Sequence, residues 1–250
     1  MIFLYTDFGT EGPYVGQMKV AVLRTAPEIP VVDLMHDLPP FAIRAAARLL
    51  DPMTHSLGAG DVLVGVVDPG VGGSRLPVAV FAGGIWFVGP DNGLFEYVLR
   101  RHPEALAFEI AWRPDRLSAS FHGRDLFAPV AARLARGDRR GLVPVVPQRF
   151  RDWPDVLAEI VYVDRYGNGI TGMPADELVA SAVIEVNAAA LRSATTFSAV
   201  PAGEPFWYRN SLDLVEFAAN GASAAARLGL RVGLPVTVRP PQVAASPSRA

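Results

Sequence analysis

The sequence predicts an α/β fold in two parts, an N-terminal layered α/β domain followed by a smaller C-terminal β-barrel-like domain. Three observations carry this prediction. Up to about Leu142, short apolar runs alternate with segments of helical period, as expected for strands and helices packed in layers. From Asp138 to Pro154 the chain is rich in Arg, Pro and Val without clear periodicity, which reads as a linker. Beyond it, β-type apolar runs are separated by turn signals such as YGNG, the pattern of a small barrel or sandwich. The boundaries that follow are 1–142 for the first domain, 143–155 for the linker, 156–240 for the second domain and 241–250 for a flexible tail rich in Pro, Ser and Ala.

The elements follow in order. The N-terminal run MIFLYTDFG has no charged leading region and stays apolar for only a few residues before Asp7, so it reads as a strand at 2–6 and not as a signal peptide. Further strands are predicted at 30–34, 62–67, 78–82, 85–88 and 106–110, and helices at 15–25, 43–50, 94–100 and 125–136. In the last helix Leu126, Val130 and Leu134 recur at spacing four, giving one apolar face for the sheet, and Gly137 supplies the stop. The second domain is assigned strands at 157–163, 182–186, 205–208 and 236–238, with an Ala-rich helical stretch at 222–228. No internal repeat of solenoid period is present.

Composition narrows the function. A chain of 250 residues, 50% of them hydrophobic, buries a sizeable core. Its formal net charge is −2 with both signs dispersed, so no basic face is expected for nucleic acid or an anionic membrane. The absence of cysteine removes disulfides, thiolate metal sites and thiol nucleophiles together. Lys19 is the only lysine, which leaves Schiff-base chemistry a single weak candidate. No apolar stretch approaches the ~18 residues that span a bilayer, so a soluble, cytoplasmic protein is expected.

Chemistry concentrates in four segments. In VVDPGVGGSR an apolar run delivers Asp68 at the end of a strand, and a Gly-rich loop leads to Arg75. Such a loop can fold back so that the guanidinium pairs with the carboxylate and orients a water, although an ion pair that merely braces the loop fits the same residues. SFHGRD supplies His122, a titratable imidazole able to accept a proton from water or stabilise hydroxide, or else a satisfied core residue. Arg124 and Asp125 read as an ion pair at the helix start. TDFGTEGPYVG places Asp7 beyond the first strand, where it can accept two ribose hydroxyls or simply cap the following helix; its glycines match neither a dinucleotide fingerprint nor a Walker A loop. VDRYGNG offers Asp164, Tyr166 and Asn168, which could hold a purine by stacking and hydrogen bonding or form a plain turn. GPDNG reads as a turn lining a pocket. His36, between Asp33 and Asp37, lacks the second histidine cluster that a metal site would need, and His55 and His102 read as surface residues.

Together TDFG, VVDPGVGGSR, GPDNG, SFHGRDLFAP, VDRYGN and NSLDLVEFAANGAS resemble the S-adenosyl-L-methionine hydroxide adenosyltransferases, a family related to fluorinase and chlorinase, over nearly the whole chain. The resemblance implies an N-terminal α/β domain and a C-terminal β domain in a homotrimer, with each ligand between subunits. It implies that the family's Asp-Arg-His set falls on Asp68, Arg75 and His122 and its ribose-binding aspartate on Asp7. Adenine and substrate-pocket roles fall on Asp164, Tyr166, Asn168, Ser211, Glu216 and Asn220, while Phe41 matches an aromatic position of the halogenating relatives. The implied reaction is attack of water or hydroxide on ribose C5′ of S-adenosyl-L-methionine, or of its (R)-sulfonium epimer, releasing adenosine and methionine without a metal or redox cofactor. The alternatives are a halide-dependent synthase on the same fold and a protein that only binds adenosine or the sulfonium. Three positions depart from the family pattern: Gly12, where an acidic residue is common; Gly123, where fluorinase has serine; and Thr171-Gly172-Met173 after the GN turn.

Overall fold

In the computed structural model, which describes residues 1–239, a seven-stranded sheet organises the chain as far as Trp153. Its strands are β1 (Ile2–Thr6), β2 (Val31–Met35), β3 (Val62–Val66), β4 (Pro77–Ala82), β5 (Ile85–Pro90), β6 (Leu106–Ile110) and β7 (Leu142–Pro144), in the order β2-β1-β3-β5-β4-β6-β7. β1, β2, β3 and β5 run parallel, whereas β4, β6 and β7 join by antiparallel pairing. The reversal begins at the β4–β5 hairpin. Gly83 and Gly84 both take positive φ, 56° and 82°, as a two-residue turn matched to strand twist requires.

The central strands are continuous apolar runs because both of their faces are covered. Ile2 and Leu4 of β1 pack into a cluster with Met18 and Val22 of α1 (Tyr14–Thr25) and with Val130 and Leu134 of α4 (Ala128–Ala135). The hydroxyl of Tyr5, also on β1, donates to the Ala46 carbonyl of α2 (Ile43–Met53) at 2.8 Å. Phe87 of β5 meets Phe95, which precedes α3 (Glu96–Arg101), with ring centroids 5.8 Å apart. Three parallel strands therefore end within two residues of Asp7, Asp68 and Asp91, on the edge where open α/β sheets bind ligands.

Two local readings need correction. The helix expected at 125–136 starts as a π-helical turn, Gly123–Phe127, and becomes α-helical only at Ala128, because Pro129 has no N–H to continue the regular ladder. Its apolar face is as expected, with Leu126, Val130 and Leu134 buried and Gly137 at φ 80° ending it. The stretch 143–155 is partly tied down: β7 pairs with β6, and Arg100 donates to the carbonyls of Phe150 and Trp153 at 2.8 and 2.9 Å.

The unit that begins at Pro154 is β-rich. One sheet has the order β12-β13-β9-β8, from Pro205–Arg209, Leu214–Ala219, Gly169–Pro174 and Leu157–Val163. The other has the order β11-β10-β14, from Ala189–Leu191, Val183–Val186 and Val236–Arg239. A short helix, α5 (Ala224–Leu228), is capped by Ser223 and ended by Gly229 at φ 65°. The core is formed by Ile160, Ile184, Trp207, Val215 and Phe217. No closed barrel forms among the described residues: the sheets are joined only by single bridges, Glu159 to Pro235 and Ser193 to Trp207. The tail expected at 241–250 lies outside the described residues. Among those residues no helix is long and apolar enough to cross a membrane.

Candidate active site

A cleft of about 390 Å³ opens at the carboxyl ends of β1 and β3 and is lined by Asp7, Phe41, Asp68, Phe121 and His122, among others. Asp68 follows Val67, whose carbonyl accepts Asn92 Nδ2 at 2.9 Å, so the GPDNG turn fixes the strand end that carries the carboxylate. The loop then reverses through Val71 N–H to Asp68 C=O at 3.2 Å and Gly73 N–H to Gly70 C=O at 3.0 Å. That reversal returns Arg75 to Asp68. Arg75 Nε lies 3.1 Å from both carboxylate oxygens and Nη2 lies 2.5 Å from Oδ2. The same Nη2 donates to His122 Nδ1 at 2.8 Å, and the guanidinium carbon sits 5.4 Å from the centre of the Phe127 ring.

Arg75 thus joins the two motifs, and it fixes a tautomer. A guanidinium can only donate, so Nδ1 of His122 must carry the lone pair and the proton of the neutral ring lies on Nε2. Burial, reinforced by the positive charge of Arg75, pushes the His122 pKa below its ordinary value. Of the two roles offered by the sequence, this geometry favours donation by Nε2–H to a hydroxide-like oxygen over abstraction of a proton. Gly72 makes the approach of the loops possible: at φ 75°, a Cβ there would meet the Ala119 carbonyl oxygen at 2.4 Å.

Asp7 faces the same cleft. Its Oδ2 accepts the Phe41 amide at 3.1 Å, and burial pushes its carboxyl pKa up. Phe41 takes an unusual positive φ of 64° and is 73% exposed. Phe121 packs edge to face on Phe8 and Tyr14 at centroid distances of 5.7 and 5.4 Å, Phe8 and Tyr14 meet tilted at 5.6 Å, and the three rings give the cleft an aromatic wall. The Tyr14 ring passes 3.3 Å from where a Cβ of Gly12 would stand, so it occupies the space an acidic side chain at 12 would enter.

The second unit holds its own pocket, of about 760 Å³, lined by Asp164, Tyr166, Asn168, Phe197, Tyr208 and Glu216 with residues of the 219–223 turn. Asp164 organises the YGN turn: Oδ1 accepts the amides of Tyr166 and Asn168 at 2.9 and 2.8 Å, and Oδ2 accepts Asn168 Nδ2 at 3.0 Å. Tyr166 is thereby presented with its side chain outward, the residue being 79% exposed. Glu216, buried on β13, accepts the Tyr208 hydroxyl at 2.6 Å and Asn210 Nδ2 at 2.9 Å; burial pushes its carboxyl pKa up. Burial and the bond to Glu216 hold the Tyr208 phenol well above its usual range.

Not every residue singled out by sequence lines a pocket. Ser211 is exposed and outside the residues lining this one, and Asn220 directs its amide to the Val200 carbonyl at 2.8 Å. Sequence reasoning missed Phe197, Tyr208 and Asn210. A signal existed for Tyr208, which stands directly opposite Glu216 in the β12–β13 register, but it becomes legible only once β13 is recognised as a strand. No group of three or more His, Cys, Asp or Glu able to hold a metal ion occurs among the described residues.

Residues 2–142 match the family model for the SAM hydroxide adenosyltransferase N-terminal domain, and residues 158–237 match that for the C-terminal domain. A protein of Thermus thermophilus named (R)-S-adenosyl-L-methionine hydrolase is 39% identical, over 94% of this chain and 98% of its own. A fluorinase of Actinopolyspora mzabensis is 25% identical, over 95% of this chain and 96% of its own. Among solved structures, an uncharacterized conserved protein from Thermotoga maritima superposes with a TM-score of 0.86 at 28% identity, covering 96% of this chain and all of that one.

Proposed function

Because the chain belongs to the SAM hydroxide adenosyltransferase family, we propose that it hydrolyses S-adenosyl-L-methionine, in the (R)-sulfonium form, to adenosine and L-methionine. The observation that carries the reading is the single guanidinium of Arg75 bonded at once to Asp68 and His122. A binding protein has no need to fix a carboxylate and one tautomer of an imidazole around the same cation.

In the proposed step a water oxygen forms the bond to ribose C5′ as the C5′–sulfur bond breaks, and that bond's electron pair returns to sulfur as the neutral thioether of methionine. Asp68, pinned in one orientation by Arg75, receives the proton that the water sheds and passes it to solvent, so that water and a sulfonium cation become adenosine, methionine and one proton. His122 Nε2–H steadies the oxygen as charge develops on it. Since the sulfonium leaves without protonation, the work of the protein is to align the water and limit competing solvent, and the proposed reaction draws on no cofactor. Asp7 takes the ribose hydroxyls, with Phe41 beside it. Tyr166 and Phe197 offer aromatic surface for the adenine, and Asn168 its amide. We further propose a homotrimer in which the cleft of one subunit's first unit works with the second-unit pocket of a neighbour.

Incubation with each sulfonium epimer, with and without chloride and in ¹⁸O-water, tests the reading. Equal amounts of adenosine and methionine from the (R)-epimer, with ¹⁸O at the 5′-hydroxyl and no dependence on chloride, are expected. A chloride-dependent 5′-chloro product would instead make the chain a halogenating enzyme, and no turnover of either epimer would remove the catalytic reading.

A further inference from the structure

Beneath the loop that carries Asp7 runs a chain of hydrogen bonds separate from the Asp68, Arg75 and His122 group. Thr6, fully buried at the end of β1, accepts the Phe8 amide on Oγ1 at 3.3 Å, so its side chain spans the backbone of Asp7. The same oxygen lies 2.8 Å from Nδ1 of His36, a buried histidine just beyond β2. The other ring nitrogen, Nε2, lies 3.0 Å from Asp33 Oδ1, and Asp33 Oδ2 accepts Lys19 Nζ of α1 at 2.6 Å. The backbone of His36 also takes part, its carbonyl accepting the Gly9 amide at 2.7 Å. One arrangement of protons satisfies every member: the Thr6 hydroxyl, already an acceptor, donates to Nδ1, and Nε2–H donates to Asp33. His36 therefore grips the chain on both sides of Asp7, at Thr6 with its ring and at Gly9 with its carbonyl.

We propose that His36 is a positioning residue that, through Thr6, sets the direction in which Asp7 presents its carboxylate to the ribose. The proposal rests on the assignment of Asp7 to the ribose hydroxyls. Asp7 lies beyond the last residue of its strand, and accepting two adjacent hydroxyls demands a tighter orientation than a loop provides unaided. The exposed Lys19–Asp33 pair at the far end adds little energy of its own. Its place is to hold Asp33, and with it the tautomer of His36.

The test is calorimetric affinity of the full chain for adenosine and for 2′-deoxyadenosine. Wild type should prefer adenosine by about tenfold, since loss of one hydroxyl leaves a carboxylate oxygen unpaired, and Asp7→Ala should abolish the preference. His36→Phe fills the space of the ring but makes neither bond, and should reduce the preference to about a third or less of the wild-type ratio. His36→Asn can set its amide oxygen at the Nδ1 position and should restore most of it. Thr6→Val, close to isosteric, should behave like His36→Phe and carries the test if the phenylalanine variant does not fold. Equal weakening of both ligands by Thr6→Val and His36→Phe, with the ratio preserved, would mean a merely structural role and overturn the proposal. If Asp7→Ala leaves the ratio unchanged, the ribose assignment itself is wrong and the positioning role goes with it.

Discussion

At the scale of single residues, the tautomer of His122 has a consequence for pH. Burial and the neighbouring Arg75 charge both disfavour the imidazolium, so the ring stays neutral below the ordinary histidine value of about 6.5. Protonation would place a hydrogen on Nδ1, against the guanidinium that now donates there, and would break the link between the two motifs. The acid limb of kcat is therefore expected below the ordinary range, activity falling only as pH drops through the lowered pKa. Replacing Arg75 with Met removes the charge and should move the His122 titration upward, as followed by imidazole ¹⁵N shifts. A titration that stays in place would show that burial alone sets it. The direction at Asp7 is opposite: burial raises its carboxyl, because there the charged form is the one that loses hydration.

At the scale of elements, the site depends on two loops brought into contact at Gly72. An alanine there would combine a positive φ with a Cβ 2.4 Å from the Ala119 carbonyl oxygen, and backbone cannot move aside as a side chain can. Gly72→Ala should cost at least ~2 kcal/mol of stability and lower kcat by parting Arg75 from His122. Gly70→Ala is the control in the same loop, since its Cβ would meet Arg75 Cγ at an ordinary 3.7 Å. Thermal melts and turnover of the two variants check this, and equal behaviour would count against the loop contact. The same loops show what sequence can and cannot carry. DVLVGVV is readable as a strand ending in Asp68 because both sheet faces are buried, and the return of Arg75 follows from the glycines between. The Arg75–His122 bond spans 47 positions and leaves no local trace. In the second unit, GITGMP hides a strand behind two glycines and a proline, and LVEFAA hides one behind a buried glutamate whose partners are Tyr208 and Asn210. Without those two strands Glu216, Ser211 and Asn220 are tied to the pocket only through resemblance, whereas Asp164, Tyr166 and Asn168 are legible in VDRYGNG itself.

At the scale of the whole molecule, the proposed homotrimer changes what a mixture of inactive chains can do. Asp68, Arg75 and His122, proposed to act on the attacking water, belong to the first unit, while Asp164, Tyr166 and Asn168 belong to the second. If each working site draws its two halves from different subunits, a chain lacking Asp68 still lends an intact second unit, and a chain lacking Asn168 still lends an intact first unit. Asp68→Asn and Asn168→Ala chains, separately inactive, are therefore expected to recover activity when co-expressed with different tags and purified as mixed trimers. In a mixed ring of three, one interface joins an intact first unit to an intact second unit, so purified mixed trimers should recover about one third of wild type whatever the mixing ratio, while the unfractionated mixture should peak near about one quarter at equal mixing. A site built within one subunit leaves one lesion in every pocket at every ratio. Verified mixed trimers without activity across the whole series would thus reject the shared site while leaving the hydrolytic chemistry to be judged by its own products.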